Sequence, residues 1–435
     1  MYKDWIELGK KKGLSDLEIF AVRNKSLSLN VYQGKLDSHV QSDVEHVTLR
    51  GIYDGKLSVV RFENLSIKNV EHMIDRLIEN AKALTVSEPA IIFEGSPSYP
   101  EVKEERFDFG LIPVIDKINL IKSLEQKILD HPKVTQVQTS VYKEFDSTTT
   151  LINSKGLNLH KQNTYAFAYA IGVFKQDDDI KTAADIKLVK DFKDFNIQEM
   201  ADTTIKIGVA KLGGKSIPTK AYPIVFSNEQ FSEILSAFTS IFSGESAYRN
   251  LTALKDKVGE QVFGSNITLI DDPLHEMSPF MVPFDDEGVA CKRRDVVKNG
   301  VFTGFNHNLK TSSIFNVEPT GNGFSGGISP TNLYLKPGDV SFDDLIKDIE
   351  NGVYITDLVG LHAGIKTVSG DFSLQASGQK IINGKLDYAV KMIVVSGNFF
   401  EMMKNIKGIA NDLRFELSGI GSASVYVDSL MIGGE

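Results

Sequence analysis

Apolar and polar positions in the first half of this chain run through the same cycle twice. Residues 3–12 read as a short helix ending near Gly13. Strand-like runs follow at 17–22, 26–32, 46–53 and 56–62. Asp54-Gly55, between the last two, is a two-residue hairpin signal. Ser66 then stands as N-cap before Ile67, Val70, Met73, Ile74, Leu77, Ile78 and Ala81, which repeat at helical spacing. The second cycle opens on a helix at 115–129, stopped by Asp130-His131-Pro132 because proline disfavours helix in the residue before it. Strands are expected at 134–143, 147–153, 157–162, 165–174 and 182–189, with a turn at Ser154-Lys155-Gly156. A closing helix at 196–212 ends on Gly213-Gly214. The pattern predicts an α+β domain over 1–215 built from a duplicated helix–β-meander–helix module, 1–86 and 111–213. The plainer alternative is one α+β domain with a long meander. Pro89, Pro97 and Pro100 mark 87–106 as the connector.

A Gly/Pro-bearing turn region at 213–222 sets the boundary to a second domain, 216–435. Ser227 with Gln230 three residues on forms a capping box, and Phe231, Ile234, Leu235, Phe238, Ile241 and Phe242 follow as one apolar helical face. Beyond it, short strands are broken by Asn299-Gly300, Gly304, Gly326-Gly327 and Asn383-Gly384. Two more helices are expected. Ser341 caps one at 342–351, with Asp344 in its first turn and Gly352 at its end. Asn398 opens the other through Met402, Ile406 and Ile409 to Asn411. The fold class predicted is α+β, with a mostly β C-terminal domain and a few helices packed on its sheets.

Length and charge narrow the function. A chain of 435 residues exceeds one typical core, which agrees with two or three domains. Its net charge of −9 repels phosphate backbones, and Lys292-Arg293-Arg294 is too short to compensate, flanked as it is by Asp295 and by Asp285-Asp286-Glu287. Direct nucleic-acid binding is therefore not expected. A single cysteine, Cys291, forms no internal disulfide. The polar N-terminus carries no apolar signal core, and no stretch approaches the roughly 20 apolar residues a membrane span needs. These features lead to the expectation of a cytoplasmic protein without membrane contact.

Val258-Gly259-Glu260-Gln261-Val262, Ile270-Asp271-Asp272, Pro319-Thr320-Gly321-Asn322-Gly323, Ser369-Gly370-Asp371-Phe372-Ser373 and Ile432-Gly433-Gly434 occur in that order. In order and spacing they resemble the TldD/PmbA family, historically called modulators of DNA gyrase, and the resemblance covers essentially the whole chain. The family pairs two related subunits. TldD-type chains hold zinc on a helical His-Glu-x-x-x-His and a distant Cys; PmbA-type (TldE) chains do not. Counting back from the 258–262 block places that motif at Leu235-Ser236-Ala237-Phe238-Thr239-Ser240, where no residue is a usual zinc ligand. The segment 417–425, which would supply the cysteine, has none. The resemblance thus implies a PmbA/TldE-type subunit with no cofactor of its own, and a zinc-bearing TldD-type partner whose metal-bound water attacks peptide carbonyls with the motif's Glu as base.

Other chemistry is sparse. None of the eight histidines is paired at i, i+4 on a predicted helix; His39 and His46 lie seven apart in strand-like surroundings. His275-Glu276 begins like a zincin motif, but Pro279 takes the second His position, and a surface-loop histidine is expected. His307 and His362, both in glycine-rich blocks, are candidates to meet across a cleft. Gly321, Asn322 and Gly323 lack phosphate-loop spacing; they form either a tight turn or the lining of a groove for an extended peptide. Asp371 is a candidate general base, with a turn aspartate as the default. Cys291 reads as a small buried hydrophobe, and Asp177-Asp178-Asp179 as a solvated loop between strands.

Three functions fit. The first is the non-catalytic PmbA/TldE-like subunit of a cytoplasmic zinc metalloprotease complex acting on unfolded peptides, as a homo- or heterodimer. The second is a stand-alone homodimeric peptide-binding protein. The third is an independent hydrolase using His307, His362 or Asp371.

Overall fold

The computed structural model describes residues 2–63, 65–85, 88–102 and 107–435. The N-terminal half runs α1 (Tyr2–Lys11), β1 (Asp16–Tyr32), β2 (Lys35–Tyr53), β3 (Lys56–Phe62), α2 (Ile67–Ala83), then α3 (Val114–Leu129), β4 (Val134–Asn153), β5 (Asn158–Gln176), β6 (Asp179–Ala183), β7 (Lys187–Val189) and α4 (Ile197–Ala210). All seven strands form one antiparallel sheet in the order β3-β2-β1-β4-β5-β6, with β7 also on β5. The two helix–strand units meet through their first strands, β1 against β4.

The strands are longer than the hydrophobic pattern predicts. The runs 17–22 and 26–32 are one strand; so are 134–143 with 147–153, and 157–162 with 165–174. The run 182–189 is instead split between β6 and β7. The reason lies on one face of the sheet. Leu17, Ile19 and Ala21 of β1 pack in the core beneath α1 and α2, and Leu27, Leu29 and Val31 in the core beneath α3. Between them the same face carries Arg23 and Lys25, opposite Glu45, Asp43 and Asp146. Apolar alternation lapses there, while the cross-strand ladder continues. The Asp54-Gly55 turn is as expected, with both residues in the left-handed region that a two-residue hairpin requires (φ 49° and 71°).

The described part of the connector straps the sheet to the C-terminal half. Asn153 Nδ2 donates to the Phe93 carbonyl (2.8 Å), the Tyr99 hydroxyl to the Gly288 carbonyl (2.8 Å) and the Ala290 N–H to Ser96 Oγ (2.9 Å). Ser87 and residues 103–106, at the connector's ends, lie outside the described residues.

The C-terminal half contains β8 (Lys220–Phe226), α5 (Asn228–Phe238), α6 (Gly244–Tyr248), β9 (Leu269–Asp271), β10 (Arg294–Lys298), β11 (Val301–Phe302), α7 (Leu309–Phe315), β12 (Gly323–Phe324), β13 (Gly327–Ile328), β14 (Leu333–Leu335), α8 (Phe342–Ile346), β15 (Asn351–Val359), β16 (Asp371–Ile382), β17 (Lys385–Asn398), α9 (Phe399–Lys404), β18 (Ile406–Ile409), β19 (Arg414–Phe415), β20 (Gly421–Ser422) and β21 (Val425–Gly433). β8, β15, β16, β17 and β21 close into a ring, because β21 pairs with both β8 and β17. A second sheet runs β11-β10-β9-β14-β20-β19, and β12-β13 is a small hairpin. This mostly β part with short helices completes an α+β protein.

Two predicted helices are shorter than expected. The one capped by Ser341 ends at Ile346, and Asn351 and Gly352 begin β15. Gly352 is needed there because β8 comes close: a Cβ would stand 3.0 Å from the Pro223 carbonyl oxygen. The helix opened by Asn398 ends at Lys404. Ile406 and Ile409 share a buried face through a bulge in β18 rather than through helical spacing. Among the described residues no helix is long and apolar enough to cross a membrane.

Candidate functional site

α5 begins at Ser227, whose Oγ accepts the Gln230 N–H (3.2 Å), and continues as a 3-10 turn over Thr239–Phe242. Its apolar face is core: Phe231, Ile234, Leu235, Phe238, Ile241 and Phe242 are all buried, and Phe238 stacks on Phe399 with ring centroids 4.2 Å apart. The helix packs against β15, β19 and β20. The backbone that would bring a third ligand is tied down by other means: Ser424 gives both its N–H and its hydroxyl to Asp412 (2.7 Å each). A zinc ion needs imidazole, thiolate or carboxylate donors converging at about 2.0–2.3 Å. Leu235, Ser236 and Ser240 offer none, and among the described residues no group of three His, Cys, Asp or Glu is placed to hold a metal. These residues do not fit the metal that the resemblance attaches to this helix position.

A dense polar cluster lies elsewhere, where the N-terminal sheet meets the C-terminal half. Arg50 of β2, half-buried, packs against fully buried Glu18 of β1, to which its Nε donates at 2.7 Å; its Nη2 donates to Glu18 and to the Asp286 carbonyl (2.9 Å), and its Nη1 to Glu287 (3.5 Å). Glu287 passes the link on: its Oε2 accepts the Leu309 N–H at the start of α7 (2.7 Å). Asp285 accepts three backbone N–H groups, from Glu287 (3.0 Å), Val289 (2.9 Å) and Gly323 (2.8 Å). Burial and the neighbouring Glu287 charge push its carboxyl up to about 7. Burial likewise raises Glu18, Glu287 and Asp271, and lowers Lys161, which donates to the Phe284 carbonyl (2.8 Å) beside Asp286.

The glycine block folds around this cluster. Asn322 is buried (1% exposed), donating to Asp271 (2.9 Å) and the Ser329 carbonyl (3.0 Å), so its side chain faces inward. Gly321 has φ 75° and lies against Ala290 and Cys291, where a Cβ would come within 2.8 Å of backbone. Gly323 leaves room for Glu287, whose carboxylate a Cβ would approach to 2.6 Å. Cys291 is buried with Sγ on the Gly321 carbonyl (3.0 Å), and burial pushes its thiol up.

His307 belongs to this neighbourhood. Its N–H donates to Thr320 Oγ1 (2.7 Å), which donates in turn to Asn322 Oδ1 (2.6 Å). Its ring is buried against Phe305 and Phe315, with Nδ1 3.1 Å from the hydroxyl of fully buried Thr311. His362 lies apart, exposed on the β15–β16 connection, and none of His307's bonds or ring contacts is with it. Asp371 closes that connection, accepting from Ser369 (2.8 Å) and Asn398 (2.9 Å), which hold its carboxyl below the usual range. His275 is half-buried between Tyr334 and Phe415 rather than a free surface-loop residue. The candidate residues thus form two groups, Gly321, Asn322, Gly323 and His307 within the buried joint, and His362 with Asp371 on an exposed connection. Sequence reading missed Glu18, Arg50 and Glu287. The available signals were a glutamate between Leu17 and Ile19 and the acidic run at 285–287.

Burial and the Arg294 charge lower His307 to about 4. Between pH 4 and its ordinary 6.5 the unfolded chain binds a proton that the folded chain refuses, so this group's contribution to stability is complete above 6.5 and is lost as pH falls toward 4. The thermal midpoint on acidification from pH 7 to 5 should therefore fall more steeply for the native chain than for His307→Gln; equal slopes would show that the imidazole is not so held.

Three family models match: "PmbA/TldA metallopeptidase domain 1" over 17–81, the "central domain" over 107–212 and the "C-terminal domain" over 219–434. The metalloprotease PmbA homolog of Buchnera aphidicola (subsp. Acyrthosiphon pisum) is 24% identical over 99% of this chain and 96% of its own length. The crystal structure of a Thermotoga maritima protein described as a candidate modulator of a DNA gyrase superposes with TM-score 0.93 at 31% identity, covering 99% of both chains. TldE of Thermococcus kodakarensis shares the fold, with TM-score 0.89 at 21% identity over the whole of both chains.

Proposed function

This chain belongs to the PmbA/TldD metallopeptidase family, and on that premise we propose that it is the non-catalytic, PmbA/TldE-type subunit of a cytoplasmic peptidase complex whose TldD-type partner carries the zinc. One observation carries the reading. At the helix positions of the family's motif this chain has Leu235, Ser236 and Ser240, with Leu235 sealed in the core. A helix so packed contributes shape, and its buried face has no way to bring donors to an ion. The remaining polar machinery points the same way. Buried Cys291 faces a carbonyl, the Thr311 hydroxyl beside His307 is fully buried, and neither presents a nucleophile to a substrate. The sequence likeness to a PmbA homolog over 99% of this chain supports the assignment of type. In the complex this chain would complete the chamber, its Arg50–Glu287 joint holding the two halves in register, and leave peptide contact to exposed groups such as His362 and Asp371.

Co-expression with a TldD-type chain tests this. A mixed complex is expected whose peptidase activity disappears when the partner's motif Glu is replaced; with His362→Ala in this chain kcat should be kept and only KM should rise. Peptide hydrolysis by the lone chain would overturn the reading, as would failure of the two chains to associate. A homodimer that binds peptides and ignores the partner would establish the stand-alone alternative.

A further inference from the structure

We propose that the helix-bearing face of the N-terminal sheet carries a groove for an extended, basic polypeptide segment. The topology creates it. α1 and α2 cover one end of the strands and α3 and α4 the other, and among the described residues no helix covers the middle of the long central strands. There a cleft of about 830 Å³ crosses β2, β1, β4 and β5 at Gln41, Leu27, Glu144 and Thr164, and residues 107–110 wall one side. An extension of about 230 Å³ continues from Lys25 and Asp146 to Glu45 and Thr148. Four strands about 4.8 Å apart span roughly 14 Å, which an extended chain rising about 3.3 Å per residue crosses in four to five residues.

Charge selects the occupant. Arg23 is already committed, bound through two 2.8 Å bonds to Asp43. Glu144 holds Lys117 (2.6 Å) and the Tyr142 hydroxyl (2.6 Å). Three carboxylates instead have neutral donors: Asp146 accepts the Gln162 amide (2.7 Å), Glu45 the Tyr2 hydroxyl (2.8 Å) and Asp108 the Gly110 N–H (2.9 Å). Against them stands Lys25, so the described lining residues keep a net charge of about −2 at neutral pH. A nucleic-acid strand is repelled. A lysine- or arginine-bearing segment is attracted, Gln41 and Thr164 can pair with its peptide groups, and Leu27, Phe107 and Phe109 supply apolar wall for its side-chain stems. The groove lies wholly within one chain, so its action does not depend on the partner proposed above.

The test is fluorescence anisotropy on the full lone chain with three labelled hexapeptides: Lys/Arg-rich, Ser-rich and Glu-rich. The basic peptide should bind saturably, at least about tenfold tighter than the others, and more weakly as salt rises from about 50 to 500 mM. Glu45→Gln with Asp146→Asn should weaken it about tenfold, and Asp146→Lys should abolish it. Lys25→Glu should tighten it, a gain that loss of fold cannot mimic. Lack of saturable binding at millimolar peptide overturns the proposal, as does binding indifferent to these variants. So does displacement by spermidine as effective as that by unlabelled peptide, which would make this a site for small polycations.

Discussion

Arg50→Met should remove about 3–5 kcal/mol of folding stability, the range for stripping one partner from a buried ion pair. The cost arises because Glu18 is fully buried, Glu287 exposes only 14% of its side chain, and the guanidinium is the cation that faces both. Methionine fills the volume but leaves two carboxylates to be protonated or hydrated. Because Glu287 also holds the first N–H of α7, and Asp286 lends Arg50 its carbonyl, the damage should reach both halves of the chain at once. Urea unfolding measures it. Adding Glu18→Gln to Arg50→Met should cost clearly less than the sum of the two single changes, since these residues interact directly. A loss below about 1 kcal/mol for Arg50→Met would mean that the joint is solvated and the halves are held by apolar contacts alone.

Phe238→Ala should cost about 3–5 kcal/mol, the usual price of a cavity left by a buried aromatic ring. Ser236→Ala and Ser240→Ala, at positions where the family's motif would carry chemistry, should each stay within about 0.5 kcal/mol. The contrast follows from placement. Phe238 is wholly buried and stacked on Phe399, whereas Ser236 is half-buried and Ser240 exposed. If the serines proved more costly than the phenylalanine, α5 would have to be seen as a site rather than a piece of core.

What could be read from the sequence depended on whether one short stretch carried the signal. Helices with clean apolar spacing were legible, as α2 and α3 show, and so was the Ser227 cap of α5. The strands were legible only in their apolar parts, because Arg23, Lys25 and Asp146 interrupt the alternation where no helix covers the sheet. The full length of four strands, β1, β2, β4 and β5, was hidden, and with it the groove they form. That Leu235, Ser236 and Ser240 stand at the motif's positions is read straight off the sequence, since which residue occupies a given spacing is a local fact. The buried joint was not: whether Glu287 is solvated or sealed is decided by Arg50, more than two hundred positions earlier in the chain. Asn322 was misleading for the same reason, an asparagine in a glycine-rich turn that could line a surface but whose amide turns inward to Asp271.

The central claim is that this chain contributes form while a partner contributes the ion. Zinc content per chain, measured on the purified polypeptide after brief dialysis against a weak chelator and again on the mixed complex, tests it most directly. The account predicts well below one equivalent on the lone chain, and about one per pair in the complex, abolished by removing the partner's motif histidines. One tightly held equivalent on the lone chain would contradict it.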